Sequence, residues 1–226
     1  MKNFAVIGNP IKHSLSPIMH EWVFDVLGVN AKYEKINVDE DELSQVVNKI
    51  KNGNLNGINV TLPYKEKIIP FLDEINPRAK SIGAVNCVIK NDSLLIGNNT
   101  DWFGFSMLMK RNNINLNDHS IILIGSGGVA RAIIFSLKNL GVKSINILNR
   151  NLDNAMAFKD DVISVYSLNI AHKIIKTNSI IINATPVGMK NDDSPIDVSL
   201  IHQDQVIVDI IYTPLETTLL KIGKQI

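Results

Sequence analysis

Apolar positions in this chain alternate between short continuous runs and stripes with helical spacing. Residues 4–7 form the first run and read as a strand, which Gly8-Asn9-Pro10 ends. Ser16-Pro17 starts a helix, with Ser16 as its cap and the proline in its first turn. The apolar pairs Ile18/Met19, Trp22/Val23 and Val26/Leu27 keep one face of that helix, and Gly28 stops it. A strand over 33–38 follows. Residues 39–52 then have the pattern of an amphipathic helix with Leu43, Val46, Val47 and Ile50 inward, acids at its start and Gly53 past its end. The run 55–62 is the next strand, with a short helix over 65–72 behind it. Strands over 84–89 and 94–97 lie around a turn at Asn91-Asp92. Strands alternating with helices predict a parallel α/β layer.

The rhythm restarts beyond a helix over 101–113 and a polar segment over 112–119. Residues 121–124 are apolar throughout, as in a strand buried on both faces. Gly125-Ser126-Gly127-Gly128-Val129-Ala130 comes next, then an apolar stripe at Ala130, Ile133, Ile134 and Leu137. Strand, glycine turn and helix in this order form a dinucleotide-binding fingerprint. Gly125 turns the chain sharply, Gly127 leaves the backbone open to a pyrophosphate, and Ala130 lets helix and sheet approach. The helix N-terminus adds unpaired N–H groups and a positive dipole end. Strands over 145–148, 163–166, 179–183 and 206–211 complete a doubly wound, Rossmann-like sheet. A last helix after Pro214 carries Leu215, Leu219, Leu220 and Ile222.

Composition narrows the class. The 226 residues are 45% hydrophobic, enough for a sizeable core and against disorder. A net charge of +1 without basic or acidic blocks argues against nucleic acid as a partner. The single cysteine, Cys87, precludes an internal disulfide and suits a reducing, cytoplasmic setting. No run approaches membrane-spanning length, so no membrane partner is expected. The five histidines show no paired ligand spacing, and no metal is expected.

The fingerprint predicts a dinucleotide cofactor, and its type turns on the residue after the second strand of the sheet. An acid there would hold a ribose 2′-hydroxyl, but Asn149-Arg150 stands in its place, and a guanidinium suits a 2′-phosphate. NADP(H) is therefore favoured, with Asp153 close enough to leave room for NAD and a solvated surface role open for Arg150. In the first half, four polar clusters fall at expected strand ends and helix starts, where open α/β sheets bind ligands. Ser14 and Ser16 offer two hydroxyls at a helix N-terminus, a seat for a carboxylate; a plain capping role is the alternative for Ser16. Asn59 and Thr61 share a side by strand alternation. Lys65 stands at a helix start, where a cation is misplaced unless it has a task or is solvated. Asn86 and Asp101 complete the set, with helix capping the structural role open to Asp101.

On Gly8-Asn-Pro-Ile-Lys-His-Ser-Leu-Ser-Pro-Ile-Met-His20, Asn59-Val-Thr-Leu-Pro-Tyr-Lys65, Ile82-Gly-Ala-Val-Asn86, Asn99-Thr-Asp101, the glycine turn, Asn149-Arg150 and Asn183-Ala-Thr-Pro-Val-Gly-Met189, the chain resembles the shikimate/quinate dehydrogenase family. The stretches span nearly the whole chain in the family's order. The resemblance implies an α/β fold with a substrate domain over 1–101, a linking helix over 102–113 and a Rossmann-like NADP-binding domain over 114–226. It implies the NADPH-dependent interconversion of 3-dehydroshikimate and shikimate in aromatic amino-acid biosynthesis. Ser14 and Ser16 would hold the substrate carboxylate, and Thr61, Asn86 and Asp101 the ring hydroxyls, with Tyr212 near the substrate and Lys65 as catalytic acid/base. Asn59 joins the substrate set from strand geometry. Gly125, Ser126, Gly127, Gly128, Val129, Ala130, Asn149, Arg150, Thr185 and Ile210 would line the cofactor. The family also suggests a homodimer. Its relatives continue into a return helix carrying a substrate-binding glutamine, which this sequence lacks. A chain incomplete there would expose an apolar patch at Trp102, Phe103 and Phe105, bind NADP and turn over poorly. Two rival readings are a quinate/shikimate dehydrogenase with NAD tolerance and a non-catalytic nucleotide sensor.

Overall fold

The computed structural model describes residues 1–116, 119–177 and 179–226. Contacts divide the chain into two compact units, Met1–Phe103 and Gly104–Ile226. Asn117 and Asp118, in the polar segment expected between domains, lie outside the described residues.

The first unit runs through β1 (Lys2–Gly8), α1 (Ser16–Val26), β2 (Ala31–Asn37), α2 (Leu43–Lys51), β3 (Gly57–Val60), β4 (Glu74–Ile75), α3 (Pro77–Ile82), β5 (Cys87–Asn91) and β6 (Leu94–Asn98). Its strands form one sheet in the order β2-β1-β3-β5-β6-β4. β1 runs parallel to β2 and β3, whereas β5 is antiparallel to both β3 and β6. The layer is thus mixed and not parallel as expected. A two-residue connection at Asp92-Ser93, with Asp92 at φ 52°, joins β5 to β6, and so tight a link can only reverse the chain. The helix expected over 65–72 is replaced by turns and a 3₁₀ segment, Ile69–Phe71. Pro70 has no N–H to continue a helical ladder there.

Burial separates the two long helices of this unit. α2 buries Leu43, Val46, Val47 and Ile50, the positions its periodicity indicates. Each such side chain contributes about 1.5–3 kcal/mol when withdrawn from water. α1 buries none of its residues, and Ile18, Met19, Trp22, Val26 and Leu27 are exposed, against expectation. Its inward stripe is instead His20 and Phe24, four apart, which lie on Tyr33 and Phe4. The more apolar face of a helix is here the outer one.

α4 (Asp101–Arg111) spans the division between the units, and the second unit continues through β7 (Ile121–Ile124), α5 (Gly128–Asn139), β8 (Ile145–Asn149), α6 (Leu152–Met156), β9 (Ile163–Ser167), α7 (Ala171–Ile174), β10 (Ile180–Asn183), β11 (Val206–Asp209) and α8 (Thr218–Gln225). Its sheet is parallel throughout, in the order β11-β10-β7-β8-β9. Alternation along β7 sends Ile121 and Leu123 into one core with Ile133 and Leu137, and Ile122 and Ile124 into another with Ile175 and Leu219. Cover on both faces explains the unbroken apolar runs. Phe105 and Met109 of α4 are buried in the first of these cores. Trp102 is half-buried with the Arg78 guanidinium 5.1 Å from its ring, which leaves only Phe103 of the expected aromatic patch exposed. Leu215 lies outside α8, which begins after Thr217, a cap whose hydroxyl accepts from Leu220 N.

Candidate active site

Register brings the polar clusters of the first unit together. β1 and β3 are parallel, so the loop after Gly8 and the stretch at Asn59–Thr61 leave the sheet at one edge. Antiparallel β5 pairs Cys87 with Asn59, which brings the preceding Asn86 to that edge. β6 reverses again, pairing Asn98 with Cys87, so Asn99, Thr100 and Asp101 follow there too. The mixed topology that overturned the parallel expectation is what gathers these residues.

Lys65 and Asp101 meet at the centre. Lys65 Nζ donates to Asp101 Oδ2 at 2.7 Å, with the side chains 15% and 23% exposed. The other carboxylate oxygen, Oδ1, accepts from Asn86 Nδ2 at 2.7 Å. Asn86 also accepts from Thr100 N at 2.9 Å, while Asn99, almost fully buried, accepts from Asp101 N at 3.0 Å and donates to Ala84 O at 2.9 Å. Asp101 is therefore the first residue of α4, not a cap in front of it. Lys65 is fixed through its backbone, whose carbonyl accepts from Val85 N at 2.7 Å.

A second polar group lies at the N-terminus of α1. Ser16 is its first helical residue and not its cap; Ser14 Oγ receives the Ser16 N–H at 3.2 Å and donates to Ser16 Oγ at 3.0 Å. Ser14 is buried and Ser16 half-buried. Asn59 accepts from Tyr33 Oη at 2.6 Å and donates to Asn86 O at 3.2 Å. Thr61 is half-buried, and its hydroxyl has no hydrogen-bond partner among the described residues. Periodicity and motif spacing passed over Tyr33. A tyrosine in an edge strand carries no sequence signal until its partners are known.

In the second unit the glycine turn follows β7, beside β10, where the strand order reverses. Gly125 has φ +106°, and a Cβ there would lie 2.9 Å from Thr185 Cγ2, so backbone and neighbour both demand glycine. Gly127 differs. It caps α5 with an ordinary φ of −79°, and a Cβ there would meet nothing within 4 Å. Among the described residues no neighbour excludes a side chain at 127, so beyond its place as helix cap the glycine leaves the backbone open to a ligand. Ser126 Oγ accepts from Asn149 Nδ2 at 2.9 Å, tying the turn to the end of β8. Ala130 is fully buried between helix and sheet, and Gly128 and Val129 are half-buried in the first turn of α5. Arg150 is exposed just past β8. Thr185 donates through N and Oγ1 to Asn183 Oδ1, at 3.0 and 2.7 Å. Buried Asn183 in turn donates to Asp209 Oδ1 at 3.1 Å. Ile210 follows β11, its N–H on Asn183 O, while Tyr212 is exposed two residues further on. These residues fit a dinucleotide: open space at a glycine, helix N–H groups and a guanidinium after β8.

No helix among the described residues is long and apolar enough to cross a membrane. Among them no group of three or more His, Cys, Asp or Glu is placed to hold a metal ion.

Comparison with known proteins gives a consistent result. Residues 6–88 match the shikimate dehydrogenase substrate binding domain, and residues 107–210 match shikimate / quinate 5-dehydrogenase. The shikimate dehydrogenase (NADP(+)) of Clostridium beijerinckii is 37% identical over 226 residues, covering 99% of this chain and 83% of the relative. A shikimate dehydrogenase structure from Aquifex aeolicus superposes with a TM-score of 0.92 at 37% identity, over 100% of this chain and 84% of that one. The Thermus thermophilus enzyme, solved in complex with NADP(H) and shikimate, gives 0.89 at 33% identity, over 100% and 84%.

Proposed function

The chain belongs to the shikimate dehydrogenase family, and from that premise we propose how its own residues carry the NADP-dependent interconversion of 3-dehydroshikimate and shikimate. The nicotinamide supplies or accepts the hydride when bound. In reduction, hydride makes the new C–H bond and negative charge grows on the former carbonyl oxygen. The Lys65 ammonium stabilises that charge and gives the oxygen its proton, completing the alcohol; oxidation runs the same steps backwards. Asp101 holds the ammonium in place and is itself fixed by Asn86. One observation carries this reading: a half-buried lysine ion-paired at 2.7 Å to a carboxylate whose second oxygen is also held.

Ser14 and Ser16 seat the substrate carboxylate. Thr61, Asn86 and Asp101 take the ring hydroxyls, with Asn59 beside them and Tyr212 assigned to the substrate as well. Gly125 to Ala130, Asn149, Thr185 and Ile210 form the cofactor bed, and Arg150 reads the 2′-phosphate. The same reading places the enzyme in the cytoplasm, in keeping with its single cysteine, and as a homodimer, which sedimentation checks.

The test follows reduced-nicotinamide absorbance with shikimate and with quinate, each under NADP and NAD. Shikimate with NADP should be the fastest pair. Equal rates with quinate or NAD would move the chain to a broader quinate/shikimate enzyme, and no turnover with any pair would leave a nucleotide sensor.

A further inference from the structure

We infer that Thr185 serves the nicotinamide half of the cofactor as a hydrogen-bond acceptor, with Asn183 and Asp209 behind it as positioning residues; this rests on the reading above that Thr185 lines the cofactor. The parallel sheet sets the place. Asp209, Asn183, Ile124 and Leu148 stand in one row at the ends of β11, β10, β7 and β8. The glycine turn leaves from the end of β7, with Thr185 past β10 on one side and Arg150 past β8 on the other. Thr185 lies close against the turn, its Cγ2 being 2.9 Å from where a Cβ on Gly125 would stand. A dinucleotide lies across such a reversal of strand order. With the 2′-phosphate at Arg150, as proposed above, and the pyrophosphate at the turn, the nicotinamide riboside falls on the β10 side, at Thr185.

Counting hydrogens gives the polarity. Asn183 is fully buried, and its Nδ2 donates to the Val187 carbonyl at 3.3 Å and to Asp209 Oδ1 at 3.1 Å. Its Oδ1 therefore faces Thr185, where it accepts from N at 3.0 Å and from Oγ1 at 2.7 Å. Turning the amide over would set donor against donor at Thr185 N and acceptor against acceptor at Asp209. The single hydroxyl hydrogen of Thr185 is thus committed to Asn183. One lone pair of that oxygen receives Val187 N at 3.2 Å, and the other has no partner among the described residues. Half-buried Thr185 can offer a ligand only an acceptor. Phosphate oxygens also only accept, so the pyrophosphate is not its partner. A hydroxyl or an amide N–H is, and the nicotinamide riboside carries both. Asp209 holds this arrangement from behind: Oδ1 also receives Ile211 N at 3.0 Å, and Oδ2 receives the hydroxyl of Thr217, the cap of α8, at 2.8 Å.

The experiment titrates the protein calorimetrically with NADP, with its 3-acetylpyridine analogue, and with 2′-phosphoadenosine 5′-diphosphate, which keeps every phosphate but lacks the nicotinamide riboside. Thr185→Val should weaken NADP about tenfold, the scale of one hydrogen bond, and leave the diphosphate unchanged. Thr185→Ser, which keeps the hydroxyl, should bind both as wild type does. Asn183→Ala should show the same split between the two ligands, and the double variant should lose no more than either single one, because the two act on one bonded path. A Thr185→Val penalty that persists with the acetylpyridine analogue assigns the donor to the ribose, and one that vanishes assigns it to the carboxamide; either supports the acceptor role. Wild-type NADP affinity in Thr185→Val overturns the inference and leaves the cofactor site standing. Equal losses for NADP and the diphosphate overturn it too, since they put Thr185 at the phosphates. So does a Thr185→Ser variant as weak as Thr185→Val, which leaves only the methyl to matter. A uniform loss in Asn183→Ala, beside the expected Thr185 results, overturns the positioning role alone. No binding of NADP by the wild type overturns the functional reading itself, and this inference with it.

Discussion

The two candidate sites are built on opposite principles. In the first unit the polar side chains satisfy one another: Lys65 with Asp101, Asp101 with Asn86, Asn86 with Thr100, and Ser14 with Ser16. In the second, among the described residues, Gly127 has open space and Arg150 is exposed, and what is fixed lies behind them, at Ser126–Asn149 and Thr185–Asn183. A site that performs proton transfer must hold its groups in place before the substrate arrives. A site that only holds a large anion can let the ligand complete it. Substitutions at the Lys65–Asp101 pair should therefore cost rate above all, and those in the second unit cofactor affinity.

The largest effect should come from Lys65→Ala, with turnover lowered by about 10³-fold while shikimate binds within about tenfold of wild type, because an acid/base acts mainly in the transition state. Steady-state rates with calorimetry on one preparation measure both, and near-normal turnover would assign the proton to another group. Gly127→Val reverses the pattern. Its side chain has room in the protein, so melting should be unchanged, while NADP affinity should fall by about tenfold or more from lost backbone contact. A lowered melting temperature with normal NADP affinity would make Gly127 a folding requirement.

Arg150→Ala should cost about 1.5–3 kcal/mol of NADP affinity, the scale of a charged hydrogen bond, and leave NAD nearly untouched. Equal losses would reduce Arg150 to support of the turn. The smallest effect lies outside both sites. Asp160 receives a bond from Lys138 and from Val162 N and Ile163 N, and the lysine above all lowers its pKa. A depressed carboxylate adds stability above its unfolded pKa and loses it as pH falls through the folded one. Asp160→Asn should then cost under about 1 kcal/mol at neutral pH, as surface pairs do, and converge with wild type in acid melts well below pH ~4. A constant difference down to low pH would mean that the charge contributes nothing.

Legibility in the sequence followed what each signal depends on. The second sheet was readable because strands buried on both faces announce themselves as apolar runs, and Gly125 to Ala130 carries its context with it. α2 was readable because a single stripe faces the core. α1 was misread because burial there follows His20 and Phe24, while its stronger apolar stripe faces outward. The mixed first sheet was missed because strand direction depends on pairing, although the turn at Asn91-Asp92 that reverses it was visible. In the site, Lys65, Asn86 and Asp101 stood out through their motifs and do converge. Tyr33, Asn99 and Thr100 act through bonds across the sheet edge, which spacing along one strand cannot show.

Asp101 is where the two tasks of the first unit meet, since one oxygen holds Lys65 and the other Asn86. The most direct test measures the initial rate and the shikimate affinity of Asp101→Asn on one preparation, with NADP affinity as the control. Both should fall, the rate by about 10²-fold as its proton donor loses orientation, with NADP binding unchanged. Wild-type rate and affinity would make Asp101 no more than the first residue of its helix and contradict the account.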